Sequence, residues 1–421
     1  MVRPGTLRGM VSFHIRRFVK RLLRISLLEE SINTLAARCA TGSESLRQRL
    51  ETDILSLHQR IDLLEESLHG SDVKIPELER AYGYFHRIDE EGGTLIIMGW
   101  MFLPHREFNS FELYIDQSKV AESTVLEIDY TRTAYPHIAH ARYSGFSFTT
   151  HKPPSAAGVM IDICVVGISR GKKVAKIETW HRTGIYSDFS LPPAPLMLRE
   201  TNTDNRFVFL NTGLRAYRDF WTAACTYADP RLITNMLDWG CGCGRVIAFF
   251  RAYSGIPGLS GCDIDPEAVD WCRANLAPAQ FAVIPPYPPT PYHDNQFDLI
   301  TSCSVLTHLS RDAQSLWLKE MQRVLVPGGL LLASVHGEFC ARIAYPGRNA
   351  IELLKNGIYD ARQDHSLDGV APDGYYRGTW QTKDFTMREY SRYFDVLEYI
   401  ERGMINFQDL VVMRKRTINA H

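Results

Sequence analysis

Three glycines, two aspartates and two histidines are the residues of this sequence whose types and spacing point to chemistry. Gly240, Gly242 and Gly244 follow Asp238 in NMLDWGCGCGRVIAFF, which has the form of a buried strand, a glycine turn and a helix. Glycine lets the backbone approach a ligand closely and accept positive φ, and the following helix points its first N–H groups at that ligand. A dinucleotide site would carry its third glycine where Arg245 stands; here it comes one residue early. Asp263 ends a second strand-like run, LSGCDID, 25 residues beyond Asp238. An acid there can accept hydrogen bonds from both hydroxyls of a ribose. Asp265, before Pro266 and Glu267, reads as the cap of the next helix. His308 and His336 each follow a further strand-like run, Phe297–Thr301 and Leu330–Ser334. Ligands of open α/β sheets bind at the carboxyl ends of the strands, and a neutral imidazole suits a general base. A structural hydrogen bond is the alternative role for each histidine, and Glu338 is a further acid at the same mouth.

These residues need an α/β frame, and the sequence supplies one after the Pro-rich linker DFSLPPAP. WLKEMQRVLVPGGLLLASVHGE reads as an amphipathic helix, a Pro-Gly-Gly turn and a strand. YFDVLEYIERG and FQDLVVMRKR read as two terminal strands. The D-x-G-x-G-x-G spacing resembles motif I of class I S-adenosylmethionine-dependent methyltransferases, and the later segments resemble that family's later motifs, over roughly residues 200–415. The resemblance implies an α/β Rossmann-like seven-stranded methyltransferase domain whose last strand is antiparallel. It implies S-adenosyl-L-methionine as cofactor, held by Asp238, Gly240, Gly242, Gly244, Asp263 and Ile264. Asp263 would bind the ribose, Ile264 would pack on the adenine, and His308 or His336 would serve as catalytic base. A zwitterionic methionine end asks for a carboxylate or carbonyl and an amide surface rather than the dense anion cradle of a diphosphate.

The segments SVLTHLS and NFQDLVV resemble bacterial methyltransferases associated with surface-glycan synthesis, which implies O-methylation of a saccharide or glycan intermediate. A small metabolite or a protein side chain is the alternative acceptor, and a non-catalytic scaffold that keeps the fold is the alternative class. The scaffold draws support from one departure: many family members carry an acid after strand three, near the adenine amino group, but here FAVIPPYPPTPY leaves no Asp or Glu between Asp270 and Asp294. Backbone groups, Ile284 or Tyr287 would have to cap the adenine. NTGLRAYRDFW offers Arg215 and Tyr217 to the methionine end. The long interval Phe339–Arg392, with Arg348, His365, Tyr375, Tyr376 and Trp380, reads as an acceptor lid.

Upstream, three stretches differ in character. Residues 1–25 carry seven basic residues and no acid, interleaved with Phe13, Ile15, Phe18, Val19, Leu22 and Leu23. That pattern gives a basic amphipathic helix suited to a membrane interface, or to a partner. Leu50, Ile54, Leu57, Ile61, Leu64 and Leu68 form a heptad seam, preceded by Leu28, Ile32 and Leu35, so residues 1–70 read as a coiled-coil segment that would make a homo-oligomer or dock on a neighbour. Residues 80–187 read as an accessory β-sandwich domain, with strands at Thr94–Phe102, Phe111–Ile115, Gly145–Thr150, Val159–Val166 and Lys173–Thr179. GTLIIMGWMFLP resembles accessory β domains beside bacterial glycan-modifying enzymes; Trp100 and Trp180 suit a core role more than a sugar site. The methyltransferase-like domain spans 196–421. A formal net charge of −1 and the lack of a basic stripe argue against nucleic acid. The nine cysteines contain no CxxC pair, and Cys241 and Cys243 are too close for a zinc pair, so no metal is expected. Reduced thiols and the lack of a secretory signal place the protein in the cytoplasm, with peripheral contact at the inner face of the membrane.

Overall fold

The computed structural model describes residues 78–417 except 152–159, 183, 186–188, 345–352 and 354. The basic start, the heptad seam and Arg348 lie outside the described residues.

The first half of the described chain is built of strands: β1 (Glu79–Arg80), β2 (Tyr82–Glu91), β3 (Thr94–Phe102), β4 (Ser110–Ile115), β5 (Ser118–Thr124), β6 (Leu126–Glu127), β7 (Tyr143–His151), β8 (Met160–Ser169) and β9 (Lys172–Arg182). They form a sheet of order β1-β9-β8-β4-β5 and a second of order β2-β3-β7-β6. Apolar side chains at alternate positions of both sheets meet in one core that includes Phe85, Ile97, Phe148, Phe111, Val165 and Ile177. β3 has the bounds its β-branched and aromatic run predicts. β2 and β5 carry too many charged and polar residues to be read as strands from composition. β2 is placed by a ladder from Tyr82–Phe102 to Glu91–Thr94 that closes on the Gly92-Gly93 turn.

The second half is a seven-stranded sheet: β10 (Asn235–Trp239), β11 (Gly258–Asp263), β12 (Gln280–Val283), β13 (Phe297–Ser302), β14 (Leu325–Val335), β17 (Asp395–Met404) and β18 (Gln408–Arg414). Its order is β12-β11-β10-β13-β14-β18-β17, with β18 antiparallel to both its neighbours and the other pairs parallel. Between β14 and β17 a two-stranded hairpin, β15 (Ile358–Gln363) and β16 (Arg377–Gln381), is inserted. The Pro327-Gly328-Gly329 turn expected before strand five lies within β14. The ladder to β13 jumps from Phe297–Leu325 to Leu299–Leu330, and this bulge takes up the extra residues.

Two helices bridge the halves of the fold to the site. The helix Ala194–Thr201, here α1, ends on Asn202 in the left-handed conformation. The helix Arg206–Tyr227, α2, is capped by the Asn205 side chain, which accepts from Val208 N–H at 3.2 Å. Phe207 and Val208 enter the core of the two smaller sheets, whereas Leu210, Leu214 and Phe220 enter the core under the seven-stranded sheet. Asn211 Nδ2 donates to the Trp180 carbonyl at 3.2 Å, which ties the same helix to β9.

Candidate functional site

At the carboxyl edge of the seven-stranded sheet, the turn after β10 and the ends of β11 and β13 wall a cleft of about 1060 Å³, measured out to open solvent. Asp238, Gly240, Gly242, Asp263, Ile264 and His308 all line it. The fold brings together these residues, 70 positions apart, because the strand order alternates about β10 and leaves a crevice where the connections part.

The glycine turn is made for close approach. Gly240 has φ 75° and Gly242 φ 49°. A Cβ on Gly240 would stand 2.1 Å from Val305 Cγ2, and one on Gly242 2.1 Å from Glu200 Oε1. Asp238 is buried, with Oδ1 accepting from Thr301 Oγ1 at 3.0 Å and Oδ2 without a partner among the described residues. Burial pushes its carboxyl up to about 7. Asp263 is half-buried at the end of β11. Its Oδ2 accepts from Gly242 N–H at 2.8 Å and its Oδ1 from Asp265 N–H at 2.9 Å. Burial raises its carboxyl to about 6 against the pull of these two N–H groups. Each oxygen keeps a lone pair, so the carboxylate can still receive ribose hydroxyls. Asp265 caps the next helix through Glu267 and Ala268 N–H. Apolar Ile264 and Ile284 line the same cleft, and Ile284 N–H bonds the Asp263 carbonyl at 2.9 Å. These features fit a nucleoside with a flexible charged tail.

On the adenine side, where an acid is missing, Tyr287 is exposed and off the cleft wall. It packs edge-on against Tyr375, 5.1 Å between centroids. Tyr375 does line the cleft, with Leu367 from the same inserted segment.

Glu200 is a residue of the cleft wall that the motifs do not announce. It stands on α1, far from the glycine turn in sequence, and its Oε1 accepts from Cys243 N–H while its Oε2 accepts from Arg245 Nε at 3.1 Å. Arg199 fastens α1 by bonding Asp265 and Glu267, each at 2.8 Å. An acid over an amide-lined loop suits the ammonium of a methionine tail.

The two histidines lie 6.2 Å apart, centroid to centroid, but differ in their surroundings. His308 lines the cleft; its Nδ1–H donates to the Arg377 carbonyl at 3.0 Å, and Asp364 Oδ2 lies 3.8 Å from Nδ1. Burial lowers its pKa to about 4 despite that carboxylate. His336 is not on the cleft wall. It stacks on Trp380 at 5.5 Å and faces Gln408 Nε2 across 3.3 Å, and burial lowers it to about 3. Gln408 reaches the cleft indirectly by donating to Ser304 Oγ at 2.7 Å. Ser304 itself holds φ 65°, an uncommon conformation for a serine. Glu338 is exposed. Tyr217 is buried against Phe250, 4.9 Å between centroids, and is not on the cleft wall. Among the described residues, no group of three or more His, Cys, Asp or Glu could hold a metal ion.

Residues 237–333, from within β10 to within β14, match a family model described as a methyltransferase domain. Three similar solved structures illustrate the likeness. A methyltransferase from Methanosarcina mazei shares 22% identity over 46% of this chain and 97% of its own, with a TM-score of 0.35. The N-methyltransferase NodS from Bradyrhizobium japonicum, in complex with S-adenosyl-L-homocysteine, shares 13% over 48% and 86%, TM-score 0.32. The 1,6-didemethyltoxoflavin-N1-methyltransferase of Burkholderia thailandensis shares 16% over 55% and 93%, TM-score 0.35. Over residues 237–333 the chain carries a methyltransferase domain.

Proposed function

We propose that the enzyme methylates a hydroxyl of a saccharide or glycan intermediate, with His308 as the base. The observation that carries this reading is the tautomer of His308. Its Nδ1–H is engaged by the Arg377 carbonyl, so the lone pair sits on Nε2 of a ring that lines the cleft. An amine brings its own lone pair to a methyl donor, whereas a hydroxyl needs a base, which contributes about 10²–10⁴-fold. The cofactor supplies a methyl group already activated on a positively charged sulfur. His308 Nε2 takes the acceptor's hydroxyl proton, and the Arg377 carbonyl and Asp364 carboxylate then face the imidazolium through Nδ1. Glu200, the glycine turn and Asp263 orient the donor, and orientation of this kind is worth up to roughly 7–11 kcal/mol.

A polar acceptor is supported by the Ser304 hydroxyl on the cleft wall, which accepts from Gln408 Nε2 at 2.7 Å. Tyr375 and Tyr376 add apolar faces to the cleft. The basic start and the heptad seam support a self-associated enzyme held at the inner face of a membrane, where a lipid-linked saccharide would be met.

Incubation with methyl-labelled cofactor and a panel of saccharide extracts tests the reading. Label recovered as an O-methyl sugar after acid hydrolysis is the expected result. Label on an amine or a polypeptide moves the assignment to the other acceptors, and tight cofactor binding without any transfer moves it to a scaffold.

A further inference from the structure

The segment that follows β12 flanks the Ile264 end of the cleft, where a nucleobase would lie, but it has little to recognise one with. Ile284 N–H is already given to the Asp263 carbonyl at 2.9 Å. Pro285, Pro286, Pro288 and Pro289 have no N–H to give. Tyr287, between them, is exposed and off the cleft wall. No Asp or Glu stands between Asp270 and Asp294. Residues 284–289 therefore present no carboxylate and, on the cleft wall, no free N–H.

Tyr375 stands where that donor is lacking. It comes from the inserted segment between β14 and β17, is 7% exposed, and lines the cleft together with Ile264, Ile284 and Trp317. Its ring packs against Tyr287, and its hydroxyl is held by Trp317 Nε1 at 3.1 Å. The same indole N–H reaches the Pro286 carbonyl at 3.2 Å, so the hydroxyl is fixed beside the proline segment. An indole N–H can only donate, which makes the Tyr375 oxygen the acceptor in that bond. The phenolic proton itself has no acceptor among the described residues. A buried polar hydrogen left over in this way is uncommon and calls for a group opposite it.

We propose that Tyr375 reads the nucleobase as a hydrogen-bond donor, so that the cleft recognises an acceptor atom of the base instead of its exocyclic amino group. The proposal rests on the cleft holding a nucleoside and not on which acceptor atom is methylated. A carboxylate beside the base takes hydrogen bonds from an amino group and disfavours a carbonyl in its place. A phenol does the reverse: it donates to a ring nitrogen of adenine or, by a turn of the same O–H bond, to the carbonyl of hypoxanthine. The discrimination between these bases that an acid enforces is therefore absent from this site. Leu367 and Tyr375 both lie outside the matched segment 237–333, so the insertion completes this end of the cleft.

Calorimetry on the full chain tests this with S-adenosylhomocysteine and S-inosylhomocysteine, in which a carbonyl replaces the amino group. The wild type is expected to bind the two within threefold of each other. Tyr375→Phe, which removes the hydroxyl and keeps the ring, is expected to weaken both by about three- to tenfold, the loss of one neutral hydrogen bond. A wild-type preference for S-adenosylhomocysteine of more than threefold overturns the proposal, and so does a folded Tyr375→Phe that binds both ligands as the wild type does. If the variant fails to fold, the wild-type pair still decides. A wild type that binds neither ligand overturns the nucleoside cleft and the proposal with it. Tight binding of S-adenosylhomocysteine with S-inosylhomocysteine rejected overturns the donor alone and keeps the cleft.

Discussion

His308 and Tyr376 lie face to face, with ring centroids 4.1 Å apart and planes within 10° of parallel. The tyrosine covers one face of the imidazole, and the Arg377 carbonyl, from the next residue, engages Nδ1. Only the Nε2 edge is left to meet an acceptor. The inserted segment between β14 and β17 therefore orients the His308 ring, the proposed base, as well as lining the cleft.

His308→Gln should lower kcat by about 10²–10⁴-fold while the cofactor Kd stays within twofold. His336→Ala should have a smaller effect, because His336 stands behind the cleft wall. Steady-state kinetics with calorimetry checks both, and unchanged turnover in both variants removes the histidine base. The wild-type kcat, read at saturating cofactor, should also stay flat between pH 8 and 5.5. A base lowered to about 4 is still unprotonated there, whereas an ordinary histidine would lose half its activity near pH 6.5.

Asp263→Ala should weaken S-adenosylmethionine at least tenfold, since a hydrogen bond to a charged group is worth roughly 1.5–3 kcal/mol. The wild-type affinity should fall as pH drops from 7 to 5. The carboxyl, raised to about 6 by burial, takes up a proton in that window and loses acceptor strength. In Asp263→Asn the same titration should be flat.

Asp238 should show in stability. Its folded pKa, about 7, lies above the unfolded value near 3.8, so the folded state holds the proton more tightly. That contribution is complete below about pH 3.8 and is lost as pH rises through 7. His308 and His336 act oppositely, because their lowered pKa values make the unfolded state bind the protons between about pH 4 and 6.5. Asp238→Asn isolates the acid: its Tm relative to wild type should be higher at pH 8 than at pH 5.5, by differential scanning calorimetry. An equal difference at both values would deny Asp238 its raised pKa.

Removal of residues 1–25 should reduce co-sedimentation with anionic liposomes, and 0.5 M salt should do the same to the full chain. Equal sedimentation of the two forms would reject a tether.

The frame of this molecule is written locally, and its site only partly so. Periodicity and turn residues suffice for β3, β10, β11 and the helix behind β11, because their burial follows from their own side chains. β5, SKVAEST, is an edge strand with polar residues that only its partner β4 makes into a strand. Asp263 and the glycines are legible because one short connection holds them in register. Glu200 and the Arg377 carbonyl are not, since each acquires its role by meeting a residue at least 43 positions away; Tyr376 is legible as part of the inserted segment, but its stacking on His308 is not. Tyr287 illustrates the reverse case: its aromatic ring suits an adenine, but it turns outward, and Tyr375 takes the cleft wall.

Helix α2 gives its first turn to one core and the rest of its apolar surface to the other. Neither half of the described chain is a detachable module in consequence. A cut before Arg206 would strip Phe207 and Val208 of their cover, and a cut after it would open the floor of the smaller sheets. The shared helix should couple the melting of the two halves, which a single calorimetric transition would show and two separate ones would refute.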